Sequence, residues 1–279
     1  MKLVKPSYTF MEQQSGTDGL YKHIELIGRT CYKSEGKITP DSAKKFVEML
    51  IKSGHGAMLE HGTVYLALPM KSILPIAANG WGKYSENHYS RGFKICSVNG
   101  EKRVAVTTNF RVLVENDWLD DLQYICEPTP YHDKRYTVKF VCDRGVSHEF
   151  VRHRVMSFAQ ESTRYCNYSK EKFGKELTFI QPCWMKSTDF NSNDVAGKMF
   201  LQSMMNAQTA YFSLLENGWK PQQARAVLPN SLKTELVMTG FVDGWEHFFE
   251  LRDDKAHAHP QAYELAHHLH ESFVDKGIL

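Results

Sequence analysis

Thirteen consecutive residues, Arg152 to Arg164, hold three arginines and one histidine (Arg152, His153, Arg154, Arg164). They are interleaved with Ser157, Ser162 and Thr163 and opposed by a single acid, Glu161. Arginine presents a permanently charged planar fork that meets anionic oxygens two at a time, and hydroxyls add directional donors. The chemistry such a segment suits is phosphate binding. Gln160, which donates and accepts through one amide, can read the polar edge of a planar ring.

The whole chain does not share this local charge. Its 279 residues are 42% hydrophobic and 24% charged, with a net charge of +2 and a sequence pI of about 8.1. A dedicated nucleic-acid binder would carry a broad basic footprint, so a small anionic substrate fits better. The six cysteines (Cys31, Cys96, Cys126, Cys142, Cys166, Cys183) form no Cys-x-x-Cys pair, and no secretory segment follows Met1. Reduced thiols in a cytoplasmic protein are expected. Apolar runs such as 73–78 fall far short of the roughly 20 residues a membrane span needs.

The motif must be held by helices and strands that the pattern predicts around it. Apolar positions at helical spacing run from Gly19 to Ser34, with Leu20, Ile24 and Ile27 on one side. A second helix is capped by Thr39, carries Pro40 in its first turn, builds its apolar face from Phe46, Val47, Leu50 and Ile51, and stops at Gly54. The stretch from Gly54 to His61 (GHGAMLEH) lacks a completing acid or cysteine and leads directly into a strand at 63–68, so no metal site is expected there. Phe93 to Val98 and Arg103 to Thr107 flank Asn99-Gly100, a strong hairpin signal, and Phe110 to Cys126 reads as an amphipathic helix. The aromatics Trp81, Tyr84, Tyr89 and Phe93 read as local packing.

Strands are expected at 135–142, 177–181 and 234–241, and helices at 189–217, from Pro221, at 245–251 and at 260–274. The histidines His257, His259, His267, His268 and His270 lack spaced partners for zinc. Pro182-Cys183 has no neighbouring basic cluster that would prepare a thiolate.

Arg152-His153-Arg154, seven residues, then Ser162 resembles the signature of the flavin-dependent thymidylate synthases. The resemblance extends over most of Tyr21 to Leu269, apart from an insertion at about 69–135. Arg29-Thr30-Cys31-Tyr32 is similar to a segment whose small polar residue, here Cys31, touches the flavin. His55 opens a stretch similar to His-Gly-His-x-Thr-x-Phe-Glu-His, with Ala57 standing where the family has Thr. Glu149 matches a position that meets the nucleotide. Ala224-Arg225-x-x-Leu228-Pro229 resembles the segment whose arginine holds the nucleotide phosphate, and Leu251-Arg252 the segment whose arginine faces the uracil ring. Departures lie upstream: Phe241 for Asn, Asp243 for Arg, and His247 where an Asn often contacts flavin.

The resemblance implies an α+β fold, a mainly antiparallel sheet flanked by helices, as a single domain over 1–279. It implies an enzyme that methylates deoxyuridine monophosphate (dUMP) to thymidylate, using methylenetetrahydrofolate, FAD and NADPH and no protein nucleophile. Cys31, His55, Arg152, His153, Arg154, Gln160 and His247 are assigned to flavin. Glu149, Arg152, Gln160, Glu161, Ser162, Thr163, Arg164, Arg225 and Arg252 are assigned to the nucleotide, with Arg252 as the catalytic group. A homotetramer with sites shared between subunits is expected, without nucleic acid, membrane or metal. Two rivals stand beside this reading: a single-strand nucleic-acid binder stacking bases on Phe158, Tyr165 and Tyr168, and a histidine-based metallohydrolase.

Overall fold

The computed structural model describes residues 1–70, 82–98, 100–186, 188 and 193–279. The apolar run 73–78, Trp81, Asn99 and the first residues of the helix expected from Asp189 lie outside the described residues. The chain opens with β1 (Lys2–Val4), β2 (Ser7–Phe10), α1 (Gly16–Tyr32), α2 (Ser42–Lys52), α3 (Gly56–Leu59) and β3 (Thr63–Pro69). It continues through α4 (Gly82–Ser85), β4 (Arg91–Val98), β5 (Glu101–Asn109), α5 (Phe110–Glu115), β6 (Arg135–Asp143), α6 (Arg144–Phe150) and β7 (Ser157–Gln160). The last third holds β8 (Thr178–Ile180), α7 (Val195–Glu216), α8 (Pro221–Ala224), β9 (Lys233–Phe241), α9 (Val242–Arg252) and α10 (Pro260–Asp275).

Strands β2, β6, β9 and β7 form an antiparallel sheet in that order, and β3, β5 and β4 form a second one. A short β1–β8 pair is parallel. The architecture is therefore α+β and mainly antiparallel, as the resemblance implies.

Alternation along β6 and β9 explains the layering, because successive side chains point to opposite faces. Val138, Phe140, Leu236 and Met238 face a core built with Phe150, Trp245, Phe248 and Phe273 of α6, α9 and α10. Val237, one step out of phase, packs with Ile27, Cys31 and Ala159 on the other face. The central strands are thus covered on both sides, and the end of α1 lies against β7. A further core joins Leu20, Ile24, Phe46 and Leu50 of α1 and α2 to Val64, Leu66 and Val106 of β3 and β5.

Two local expectations are corrected. The second helix starts at Ser42 rather than Pro40: Ser42 Oγ accepts from Thr39 N (2.9 Å) and meets the Glu25 carboxylate (2.9 Å), so Thr39 and Pro40 form the turn before it. The helix expected over Phe110 to Cys126 stops at Glu115, because Asn116 turns its amide onto the Val112 carbonyl (2.8 Å) and Asp117 takes a left-handed φ of 58°. A 3₁₀ segment, Leu119–Tyr124, follows. No described helix is long and apolar enough to cross a membrane.

Candidate active site

The end of α1 meets the start of α3 and the edge strand β7 around a cavity of about 450 Å³. Lys33 ends α1 in a left-handed conformation (φ 47°), which leaves Cys31 and Tyr32 at the rim. Tyr32 reaches His55 Nδ1 (3.1 Å) and packs edge-on against Tyr165, ring centroids 5.4 Å apart. Phe158, Gln160 and Ser162 supply the opposite wall. Ser162 is fixed through its backbone, its N–H donating to the Cys31 carbonyl (3.0 Å). The structure thus gathers Cys31, His55, Gln160 and Ser162 from three separated segments.

Burial first, then the neighbouring Cys166, pushes the Cys31 thiol up to about 12, so it carries no thiolate at neutral pH. Burial likewise raises the Cys183 thiol. All six cysteines are free. Neither Cys31 nor Cys183 is prepared as a nucleophile.

Arg111 is the site residue that the sequence did not disclose. It enters the cavity from α5, inside the stretch expected to be an insertion without chemistry. Its guanidinium pairs with Glu60 (2.6 Å) and Glu115 (2.7 Å). A side chain at Gly56 would put its Cβ 2.8 Å from Arg111 Nε, so glycine there permits the approach. The only sequence signal was Gly56 itself, and nothing marked its partner.

A second cluster lies one helix away. Gln160, on the cavity wall, donates to Ser147 Oγ on α6 (2.8 Å), and Glu149 on the same helix grips Arg252. Arg252 Nη1 meets Glu149 Oε2 (3.0 Å), Nη2 donates to the Glu149 carbonyl (3.1 Å), and Nε donates to His153 Nε2 (3.2 Å). Asp143 caps α6 by accepting from Val146 N (2.8 Å), which starts the helix at a defined residue. Past its end the chain turns tightly, burying His153 while Arg152 and Arg154 stay exposed. His247 lies exposed beside His153, ring centroids 5.8 Å apart, and pairs with Glu250 (3.2 Å).

Arg152, Arg154, Arg164 and Arg225 are exposed, and none has a carboxylate partner among the described residues. Arg225 Nη1 donates to Thr163 Oγ1 (3.2 Å), which joins the Ala-Arg-x-x-Leu-Pro segment to the main motif. Glu161 points inward instead, its carboxylate held by Lys233 (2.8 Å) and the Tyr168 hydroxyl (3.0 Å). Lys233 also binds Glu235 (2.8 Å), to which Lys33 adds a contact of 2.6 Å. These alternating charges brace the end of α1 against β9. Ser157 is braced as well: Arg135 Nη2 donates to its hydroxyl (3.3 Å) while Nη1 donates to the Glu60 carbonyl (3.1 Å).

Residues 99–276, more than half of the chain, match the family model described as thymidylate synthase complementing protein. A flavin-dependent thymidylate synthase from Geobacter sulfurreducens is 31% identical over 109 residues, 39% of this chain and 43% of the relative. One from Pyrococcus horikoshii is 32% identical over 111 residues (40% and 43%), and one from Sulfolobus acidocaldarius 28% over 151 (47% and 54%). The chain spans about two-fifths to a half of the length of these relatives. Among solved structures, the UMP/dUMP methylase PolB from Streptomyces cacaoi bound with 5-Br dUMP superposes with a TM-score of 0.44 at 15% identity. That comparison covers 99% of this chain and 93% of PolB, a likeness too slight to transfer residue roles. The family match takes in β6, α6, the arginine motif, Arg225 and the Arg252 clamp, and with them this chain belongs to the thymidylate synthase complementing protein family.

Proposed function

We propose that the chain converts dUMP to thymidylate by reductive methylation, with methylenetetrahydrofolate as methylene donor, FAD as hydride carrier and NADPH as outside reductant. The observation that carries the reading is Arg252, held by Glu149 and His153 one helix away from the cavity lined by Cys31, His55, Gln160 and Ser162. The cavity fits a flavin ring system in kind: Tyr32, Phe158 and Tyr165 offer apolar faces, and Gln160, Ser162, His55 and Arg111 offer polar groups for its edge. When bound, the flavin supplies the redox chemistry.

The chain's own part is positioning and charge. Arg152, Arg154, Arg164 and Arg225 are exposed permanent cations without a carboxylate partner among the described residues, charge of the kind that the phosphates of a dinucleotide cofactor and a mononucleotide require. Arg152 and Arg154 serve the flavin, with Arg152 bridging to the nucleotide. Gln160, Ser162, Thr163 and Arg164 line the nucleotide, and Arg225 holds its phosphate. Arg252 faces the pyrimidine, where a fixed guanidinium stabilises negative charge as the ring becomes nucleophilic. Glu161, committed to Lys233 and Tyr168, orders the strand end behind the nucleotide rather than touching it. The exposed arginines extend the site beyond the cavity, which supports its completion between subunits of a homotetramer.

A visible absorption spectrum before and after FAD addition, followed by NADPH oxidation with and without dUMP, tests the proposal. A bound-flavin spectrum and nucleotide-stimulated oxidation are expected. No flavin binding together with salt-sensitive capture of single-stranded nucleic acid would overturn it. Within the same site, Ser162→Ala weakens dUMP binding by about tenfold, the worth of one hydrogen bond to a charged group. Turnover at saturating nucleotide persists, because the hydroxyl is a phosphate donor and not a nucleophile. Complete loss of turnover with unchanged affinity, measured by titration calorimetry, would refute that role.

A further inference from the structure

We infer that His153 is a positioning residue for Arg252: a neutral imidazole, protonated on Nδ1, that accepts from Arg252 Nε and with Glu149 fixes the guanidinium, leaving two of its N–H groups for the ligand. Only the naming of that ligand as the nucleotide rests on the proposed function.

The tautomer follows from which atom is the donor. Arginine stays protonated and has no acceptor, so the 3.2 Å contact requires a lone pair on His153 Nε2. An imidazolium has none, and the remaining proton must sit on Nδ1. That nitrogen is buried and has no hydrogen-bond partner among the described residues. One of the two ring nitrogens is therefore left unsatisfied while the other serves Arg252, which identifies the arginine contact as the one that sets the ring's state. The surroundings agree: burial first, then Arg252 and His247, lowers the histidine to about 4. Phe248 packs edge-on against the ring at 5.1 Å and stops it from rotating freely.

Three acceptors from five consecutive residues, the Glu149 carboxylate, the Glu149 carbonyl and the His153 ring, take one N–H from each guanidinium nitrogen. A guanidinium has five N–H groups, so two remain, one on each terminal nitrogen. The Arg252 side chain keeps 17% of its surface exposed, enough for those two to be reached. The spacing of Glu149 and His153 across the end of α6 thus sets both the plane and the free edge of the arginine. It also accounts for the inward-facing histidine between two outward-facing arginines.

The test is ¹⁵N NMR of the full chain carrying labelled histidine, with the His153 signals assigned by their loss in His153→Gln. A neutral, Nδ1-protonated pattern that does not titrate between pH 8 and pH 5.5, on either side of the ordinary histidine value of about 6.5, is expected. A midpoint near that value, or a proton on Nε2, would overturn the inference. Kinetics supply the second arm. His153→Ala loses the acceptor and lowers kcat on the order of a hundredfold with KM for dUMP little changed, the scale of a misplaced catalytic group. His153→Gln, whose amide carbonyl can accept from Arg252, recovers most of that loss. Equal losses in both variants, or a loss confined to flavin affinity, would also overturn it. If the unsubstituted chain binds flavin yet methylates nothing, the proposed function fails, and the tautomer measurement decides the positioning role alone.

Discussion

Arg252→Ala loses dUMP methylation by a factor on the order of 10²–10³ while the flavin absorption of the protein is unchanged. The size of the loss reflects where the charge sits. Arg252 is held at three points by Glu149 and His153, so its positive charge is fixed before any substrate arrives and needs no reorganisation as the pyrimidine gains electron density. Removing it also strips Glu149 of its ion-pair partner and leaves a bare carboxylate where an anionic nucleotide must bind. Affinity for dUMP therefore falls together with turnover. Arg252→Lys keeps the charge but not the planar fork, and it cannot satisfy His153 Nε2 and both Glu149 oxygens together, so its activity lies between wild type and alanine. Thymidylate formation measured by chromatography, beside the flavin spectrum of each variant, gives both numbers. Turnover in the alanine variant within a few-fold of wild type would remove Arg252 from the chemistry.

Thermal stability falls steeply as the pH drops from 7.5 to 5. Four buried histidines contribute: burial lowers His132, and the other three carry most of the effect. Burial first, then His23 and Arg135, lowers His61 to about 3; burial and then Arg135 lowers His23 to about 4; His153 is also near 4. In the unfolded chain each titrates near 6.5. Above that value both states are neutral and the histidines cost nothing. Below it the unfolded chain takes up protons that the folded chain refuses, so stability is lost progressively between about 6.5 and 4.

At pH 5 each histidine costs at most about 2 kcal/mol, and the three together about 4–6 kcal/mol. For a chain of this length that corresponds to a fall in Tm of about 7–10 °C. The packing explains why these residues stay neutral: His61 Nδ1 meets Thr239 Oγ1 (2.8 Å), Thr239 meets Thr137 (2.8 Å), and Thr137 meets His23 (3.4 Å), a hydroxyl chain with no carboxylate to stabilise a cation. Glu235 acts lower on the scale. Burial works to raise it, but Lys233 and then Lys33 hold it near 2, so its contribution is present above about 4.5 and lost as pH falls towards 2. Calorimetric scans at pH 7.5, 6.5, 5.5 and 5.0 check the slope. A Tm that is flat across this range would mean that the buried histidines are charged in the folded state.

Strands β3 to β6, β8 and β9 and the main helices were readable along the chain, whereas β1, β2 and β7, too short to show an alternating pattern, were not. Strands β6 and β9 alternate between the two faces of a covered sheet, and α10 carries its proline at the first turn and its apolar residues at helical spacing. The expected helix over Phe110 to Cys126 failed because Asn116 and Asp117 prefer local side-chain bonds and a left-handed turn to helix continuation. Gly56 was visible, but the Arg111 side chain that lies against it was not.

Residue types and their local spacing are written in the chain, so the Arg152–Ser162 motif and its fitness for phosphate could be read before any contact was known, and the α+β class followed from the family resemblance that the motif carries. Which side chains face one another could not. Arg252 meets Glu149 across 103 positions, Lys33 meets Glu235 across 202, and Arg111 enters the cavity from a stretch that carries no motif. Such pairs are set by strand register, by helix packing on the two faces of the sheet and by the direction in which a turn exits its helix. Those are properties of the packed chain, because local periodicity specifies a face for each residue but not the partner that will cover it.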